Sequence, residues 1–227
     1  RVQRPRSVDP GAAMLELSVP DLDVVLRAAA RLRTPIVTMG AVPLRLSDGS
    51  RAVVLLDPDG YGVALFQPAG AAARGASTTI SLGLRLTVAA PATMVRFYQQ
   101  ALGVPLHAGE FVSPGEWTAL LGAASAAQWA VTEVPSAGVL RGAQGQSEVQ
   151  FVAFRHVTRH TFSGRLQDPG TATLCLRVSN LAPALRAIRS ARLRVLSAGG
   201  QLVVLPGGGS TVLFRDPAGV LVDLVQR

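Results

Sequence analysis

The chain has 227 residues, 48% of them hydrophobic, which is enough to bury one large or two small cores and excludes a disordered chain. Its 22 basic residues are all arginine and outnumber the 14 acidic ones, but they form no clustered run interleaved with aromatics, so nucleic-acid binding is the least favoured function. No stretch reaches the roughly 20 apolar residues of a membrane span, so we expect none; the compartment stays undecided, with the cytoplasm slightly favoured.

The first 68 residues predict a strand, a helix and further strands. "LELSV" (15–19) alternates apolar and polar residues, as a strand with one buried face does. Leu22, Val25 and Leu26 then follow helical spacing, and Asp21 precedes them as an N-cap. Two or three strands complete the segment, the last two joined by an Asp-Pro-Asp-Gly turn that begins at Asp57. Residues 1–68 therefore predict one βαβββ unit.

A middle segment follows the same plan more loosely. Residues 69–79, "AGAAARGASTT", predict a linker of small residues. "ISLGLRLTV" (80–88) predicts a strand, and a helix beginning at Pro91 is ended by Gly103. "WTALLGA" (117–123) and "WAVTEVP" (129–135) predict the next strands, 136–147 a loop, and 148–154 a strand leading into the last part of the chain.

The last 68 residues repeat the first without a gap. Asp57 and Asp216 lie 159 positions apart, and Gln67 and Gln226 are separated by the same distance. "LCLRV" (174–178) takes the place of "LELSV". Residues 1–68 and 160–227 are therefore two copies of one unit.

The repeated units carry a resemblance to a known superfamily. The βαβββ order, "FYQQALG" (97–103), and the terminal segments "DPDGYGVALFQ" and "DPAGVLVDLVQ" resemble the vicinal oxygen chelate superfamily, which includes glyoxalase I, extradiol dioxygenases and bleomycin-resistance proteins. The resemblance covers nearly the whole chain. It implies an α+β fold in which two βαβββ units pair into a half-open mixed β-barrel with the helices outside.

Three units are an odd number for such pairing. We expect residues 80–227 to form a two-unit glyoxalase-like domain that folds alone. Residues 1–68 are then the second half of an incomplete domain, so either a further unit precedes residue 1, or this unit finds its partner in another chain and forms a homodimer.

The resemblance also implies a divalent metal held by a histidine in the first strand and a glutamate in the last strand of each unit. The histidine positions fall on Met14, Gly83 and Thr173, and the glutamate positions on Ala64 and Asp223, with Glu133 the only carboxylate available in the middle unit. Such a donor set is poor for Zn, Ni or Fe, so we expect no metal cofactor, a divalent metal being the less favoured alternative.

The remaining chemistry-bearing side chains have ordinary interpretations. The three histidines are expected at the surface or as caps: His107, His156 and His160. Cys175 lies on a predicted strand and is expected to be a small buried residue.

Strand phase predicts a ligand site inside the barrel. The predicted ligand-binding residues are Arg85, Thr173, Arg177 and Asp223. Two arginines and one carboxylate favour a small ligand with an acid or phosphate group. The alternative is an internal Arg–Asp pair that fills the cavity.

These observations favour a glyoxalase-like small-molecule binding protein without the usual metal site, whose ligand is anionic or neutral because the chain is basic. The alternative is an enzyme of the superfamily, a lyase, isomerase or dioxygenase, whose metal site is altered or is completed by a missing N-terminal unit.

Overall fold

The computed structural model describes residues 5–70, 82–104, 106, 108–122, 127–133, 141–142, 145–160, 164–168 and 171–226. The predicted linker beyond residue 70 lies outside the described residues, and so does His107. In the part of the chain that is described, no helix combines the length and the apolar character needed to cross a membrane.

Each unit begins with a strand followed by a helix. The first unit contains β1 (Ala13–Ser18), α1 (Leu22–Arg31), β2 (Leu44–Arg45), β3 (Arg51–Leu56) and β4 (Gly62–Gln67). The middle unit contains β5 (Leu82–Thr87), α2 (Pro91–Leu102), α3 (Glu116–Leu120), β6 (Gln128–Glu133), β7 (Arg141–Gly142) and β8 (Gly145–Arg155). The last unit contains β9 (Thr173–Arg177), α4 (Leu181–Ser190), β10 (Val203–Val204), β11 (Ser210–Arg215) and β12 (Leu221–Gln226).

The helix starts of the first and last units are capped in the same way. The side chains of Asp21 and Asn180 accept hydrogen bonds from N–H groups in the first turns of α1 and α4. Gln67 and Gln226, at the ends of β4 and β12, accept the N–H of the first helical residue at 3.0 and 2.8 Å. The two matching glutamines therefore fix the helix of each unit to its last strand.

The first and middle units share one curled sheet. Its strand order is β2-β3-β4-β1-β5-β8-β6, with β7 paired to β8, and β1 runs parallel to β4 and antiparallel to β5. The predicted α+β fold with a half-open barrel is confirmed.

The predicted pairing of units is wrong. Residues 1–68 have their partner within the chain, because β1 pairs with β5 of the middle unit. The first strand of a unit has one edge available, and pairing with β1 uses that edge of β5, so the middle and last units do not share a sheet. The expectation that residues 80–227 fold alone depended on this pairing of the middle and last units.

The last unit forms a separate four-stranded sheet in the order β10-β11-β12-β9. Its helix-bearing face shares a core with α2 and the outer face of the large sheet. In that core the rings of Phe97 and Phe214 lie 5.9 Å apart, and the Tyr98 hydroxyl donates to Asp216 Oδ2 at 3.1 Å. Helices α2 and α4 thus pack between the two sheets.

The middle unit departs from the prediction in two places. Residues 117–122, the described part of the strand predicted at 117–123, do not form a strand. Trp117, Leu120 and Leu121 follow the i, i+3, i+4 spacing of helix α3 and its end, and they turn one apolar face toward the barrel core. The last strand of this unit is β8, which begins at residue 145 within the predicted loop.

Candidate functional site

The large sheet opens at one end into a cavity of about 620 Å³. Three segments surround it: residues 5–8, the β3–β4 turn, and residues 156–158 after β8. Its apolar wall includes Val8, Val37, Val54 and Leu121. Polar groups at the rim come from Arg6, Ser7, Tyr61, His156 and Thr158. The cavity therefore combines an apolar wall with a few polar groups, as small-molecule sites do.

Arg6 joins two of the segments that surround the cavity. Its Nη2 lies 2.8 Å from Asp9 Oδ1 and donates to the Thr158 carbonyl oxygen at 2.7 Å. The backbone N–H of His160 also donates to Asp9, at 2.9 Å. Burial opposes the ionisation of Asp9, but the hydrogen bonds from Arg6 and His160 outweigh it and lower the pKa of Asp9.

The Asp-Pro-Asp-Gly turn of the first unit positions Tyr61 at the rim. Asp57 Oδ1 accepts the Tyr61 N–H at 2.7 Å, and Gly60 adopts a φ of 91° that closes the turn. The Tyr61 hydroxyl donates to the carbonyl oxygen of Thr171 in the segment before β9. Burial raises the pKa of Tyr61, so the phenol is neutral at physiological pH and acts as a donor.

Inside the barrel, Arg85 does not line the cavity and is held by several groups at once. Its Nη2 lies 2.8 Å from Glu16 Oε1 and donates to Gln150 Oε1 at 2.9 Å. Its guanidinium carbon lies 3.9 Å from the ring centre of Trp117 and 5.1 Å from that of Trp129. The prediction that Arg85 faces the barrel interior is confirmed by these contacts, but its carboxylate partner is Glu16 and not Asp223.

The positions that correspond to metal ligands in the vicinal oxygen chelate superfamily also face this interior. Met14 and Gly83 lie on β1 and β5, and Ala64 pairs with Glu16 across β4 and β1. In the middle unit the last-strand position is Gln150, which pairs with Arg85, and not Glu133, because β8 rather than β6 is the last strand.

This donor set does not fit a divalent metal. A thioether, a glycine, an alanine and an amide replace the imidazoles and carboxylates such an ion needs, and Arg85 already places a cation among them. Over the described residues, no group of three or more His, Cys, Asp and Glu side chains is placed to hold a metal ion. His156 and His160, which were expected at the surface or as caps, belong to no such group, and both side chains are exposed.

The other predicted ligand residues lie elsewhere. Thr173, Arg177 and Asp223 belong to the four-stranded sheet, on the face away from α4. The phase predicted for β9 is right, since Leu174 and Leu176 pack under the helix. The prediction that these residues share a cavity with Arg85 is wrong. Arg85 lies on β5 of the large sheet, whereas these residues lie on β9 and β12 of the four-stranded sheet.

Asp223 and Cys175 both lie on the face of the last unit away from α4. Asp223 accepts a hydrogen bond from the Thr211 hydroxyl on the neighbouring strand. Cys175 is exposed and not buried as predicted, because nothing in the described part of the chain covers this face as the middle unit covers that of the first unit.

The cavity residues Arg6 and Tyr61 were missed from the sequence. They come from segments about 55 positions apart that meet only through the pairing of β1 with β4. The one available signal was the tyrosine directly after the Asp-Pro-Asp-Gly turn.

Similarity to known proteins is found in the structure of the chain. No family model matches the chain, and no curated protein matches it. Glyoxalase I from Zea mays is similar with a TM-score of 0.60 at 16% identity, over 96% of this chain and 68% of that chain.

Two further solved structures agree. A mutant of the maize enzyme has a TM-score of 0.59 at 15% identity, over 98% of this chain and 70% of that chain. A glyoxalase family protein from Bacillus cereus has a TM-score of 0.51 at 12% identity, over 63% of this chain and 89% of that chain. At these identities the similarity shows the fold alone, and that fold is glyoxalase-like.

Proposed function

We infer that the chain is a glyoxalase-like small-molecule binding protein whose ligand occupies the cavity at the open end of the barrel. The observation that carries this proposal is the cavity of about 620 Å³ formed between the first and middle units. That volume suits a small organic molecule, and the mixture of apolar wall and polar rim suits one with an apolar body and a polar group.

The charge of Arg6 at the rim supports an anionic or neutral ligand. Arg6 lines the cavity, and the lining includes no acidic side chain among the described residues. The Arg6 side chain is half exposed, so its guanidinium can contact a ligand without losing Asp9. The net charge of the chain, +8, further favours approach of an anion.

Arg85 does not bind the ligand directly in this proposal. Its guanidinium is already in contact with Glu16, Gln150 and Trp117. A ligand carboxylate would have to displace one of these groups, and Arg85 does not line the cavity, so we assign the ligand to the rim and not to Arg85. Lyase, isomerase or dioxygenase activity is not proposed, because the donor set inside the barrel does not support the metal that such activity would use.

The experiment uses two fluorescent probes of similar shape and different charge: the anion 8-anilino-1-naphthalenesulfonate and the neutral N-phenyl-1-naphthylamine. Val37→Trp fills the cavity wall and is expected to weaken both probes at least tenfold. The matched control Val24→Trp places the same side chain on the exposed face of α1, where Val24 is 52% exposed, and should leave both affinities unchanged.

Charge is tested separately. Arg6→Gln is expected to weaken the anionic probe about fivefold, the equivalent of ~1 kcal/mol, and to spare the neutral one. Arg165→Gln is the matched control, because Arg165 and Asp168 form the same pair, at 2.9 Å, in the last unit. If the Val37 and Val24 variants bind both probes equally, the cavity is not the binding site and the proposal fails.

A further inference from the structure

A second cavity, of about 410 Å³, is distinct from the first cavity at the open end of the barrel. It lies among the start of α2 (89–93), the segment after that helix, and the end of β8 with the residues that follow it. The chain after β8 lines both cavities, with His156 and Thr158 in the first and Arg155 and Arg159 in the second. The two cavities are therefore neighbours along one segment of the chain.

The lining of the second cavity is mostly apolar, apart from its two arginines and Thr93. Phe111 and Phe154 supply aromatic walls, and the residues at the start of α2 are mostly alanine, which leaves the space between the walls open. Among the described residues no acidic side chain lines this cavity. The second cavity therefore offers positive charge and apolar surface to the same ligand.

Arg155 is held in place at the end of β8. Its backbone lies opposite Gln128 in the pairing of β8 with β6. Its guanidinium carbon lies 3.7 Å from the ring centre of Phe111, so the aromatic wall supports the cation. The segment that carries Phe111 is held in turn, because Val112 exchanges two backbone hydrogen bonds of 2.9 Å with Trp129. The guanidinium of Arg155 is therefore positioned against the wall of the cavity.

Arg159 is held in place through the residues on either side of it. The carbonyl oxygen of Thr158 accepts a hydrogen bond from Arg6 Nη2 at 2.7 Å, and the N–H of His160 donates to Asp9 Oδ1 at 2.9 Å. Arg6 and Asp9 also pair with each other, at 2.8 Å. The backbone around Arg159 is therefore ordered before a ligand binds, which lowers the entropic cost of binding.

The two arginines of the second cavity have no carboxylate partner in the described part of the chain. The ion pairs found there use four other arginines: Arg6, Arg51, Arg85 and Arg165. Glu110 lies between two lining residues in the sequence, but it does not line the cavity. Both guanidinium groups therefore keep their N–H donors for an anion, which they would bind through charge-assisted hydrogen bonds.

We propose that the second cavity is a further ligand site, which binds a small molecule with a phosphate head and a flat apolar body. Two cations without an acid favour a dianionic head over a single carboxylate, and arginine matches the geometry of phosphate oxygens. The walls formed by Phe111 and Phe154 contact the apolar body. The volume of about 410 Å³ suits a molecule of one aromatic ring and its phosphate. This inference does not rest on the proposed function, because other residues line the first cavity.

The first test measures the binding of phenyl phosphate to the full chain by titration calorimetry. We expect saturable binding, about tenfold weaker binding of inorganic phosphate, which lacks the apolar body, and no saturable binding of the neutral benzyl alcohol. Val37→Trp fills the first cavity and should leave the affinity for phenyl phosphate unchanged. Loss of binding in Val37→Trp would place the compound in the first cavity and overturn the proposal. Equal affinity for inorganic phosphate and phenyl phosphate would overturn the assigned class of ligand.

The second test fills the second cavity. Ala92→Trp places a large side chain in its lining, at the second residue of α2, and is expected to weaken phenyl phosphate binding about tenfold or more. Ala182→Trp is the matched control, because Ala182 is the exposed second residue of α4 and lines neither cavity. Equal binding by the two variants overturns the proposal, and so does the absence of saturable binding by the parent chain.

The third test removes the charges and leaves the start of α2 unchanged, so it decides the matter even if Ala92→Trp does not fold. Arg155→Gln and Arg159→Gln are each expected to weaken phenyl phosphate about fivefold. Arg96→Gln is the matched control, since Arg96 is exposed on α2 and lies outside the cavity lining. If all three variants bind phenyl phosphate as the parent does, the two arginines do not form an anion site and the proposal fails.

Discussion

Arg85 and Glu16 form an ion pair of 2.8 Å across the junction of β5 and β1, the only strand pair that joins the first unit to the middle unit in the described sheet. The Arg85 side chain is 6% exposed and that of Glu16 is 19% exposed. A buried pair of this kind gives little net stability over an apolar replacement, but removing one member leaves a buried charge. The stability of the junction between these two units therefore depends on both charged residues being present.

Glu16→Gln is expected to lower the free energy of unfolding by about 2–4 kcal/mol, because the guanidinium of Arg85 then loses its buried carboxylate. The double variant Glu16→Leu with Arg85→Met should recover most of that loss. Urea denaturation measures both. Asp23→Asn removes the carboxylate of the exposed Arg51–Asp23 pair and is expected to have little effect. Equal losses in the single and double variants would show that the pair is not the cause.

Metal titration tests the donor set inside the barrel. We expect the full chain to show no saturable tight binding of Zn²⁺, Ni²⁺ or Mn²⁺ by calorimetry, since Met14, Ala64 and Gln150 stand where imidazoles and carboxylates would be needed. The Arg85 guanidinium would also repel an ion placed beside Glu16. One tightly held ion per chain, lost on Glu16→Gln or on Asp223→Ala, would contradict this expectation and restore a metalloenzyme.

The local elements were predictable from the sequence, but the pairing of units was not. Some features depend only on residues that are close in sequence, and their patterns could be recognised. These features are the N-caps at Asp21 and Asn180 and the phase of Leu174 on β9. Pairing depends on which first-strand edges meet, and β1, β5 and β9 carry similar alternation. The contact of Arg85 with Glu16 belongs to the observed pairing, and these two residues lie about 70 positions apart in the sequence.

The site was less predictable than the fold, because it too depends on contacts between residues that are distant in sequence. The cavity is built by Arg6, Tyr61 and His156, three residues from separate segments with no characteristic spacing. Arg85 was found by strand phase because its neighbours alternate, whereas its aromatic neighbour Trp117 was placed on a strand and lies on α3. A five-residue apolar helix and a strand look alike at that length.

Removing residues 1–68 is expected to destabilise the rest of the chain, contrary to the expectation that residues 80–227 fold alone. The deletion uncovers the β5 edge, removes Glu16 from Arg85, and removes Phe66, whose ring lies 5.6 Å from that of Trp117. Thermal unfolding followed by circular dichroism should show a lower midpoint or aggregation for residues 80–227. If residues 80–227 unfold cooperatively at the same midpoint temperature as the full chain, the first unit contributes no stability to the middle one.

Asp216 gives the chain a pH-dependent stability. It lies buried in the turn between β11 and β12, where Oδ1 accepts the N–H groups of Ala218 and Val220 and Oδ2 accepts the Tyr98 hydroxyl. Burial raises its pKa from 3.8 to about 6, and the hydrogen bonds, which favour the carboxylate, offset only part of that rise. The folded state therefore holds this proton at pH values where the unfolded state has released it.

The sign of the effect follows from that difference in bound protons. Between about pH 4 and pH 6 the folded state binds more protons, so the contribution of Asp216 to stability falls as the pH rises and is lost above about pH 6. The total change is roughly 2–3 kcal/mol.

Asp216→Asn keeps an acceptor at Oδ1 and removes the titration, so urea denaturation should show a flatter stability profile across this window and equal or greater stability at pH 7.5. An Asp216→Asn profile parallel to that of the parent between pH 4 and pH 6.5 would exclude this carboxyl as the source of the pH dependence.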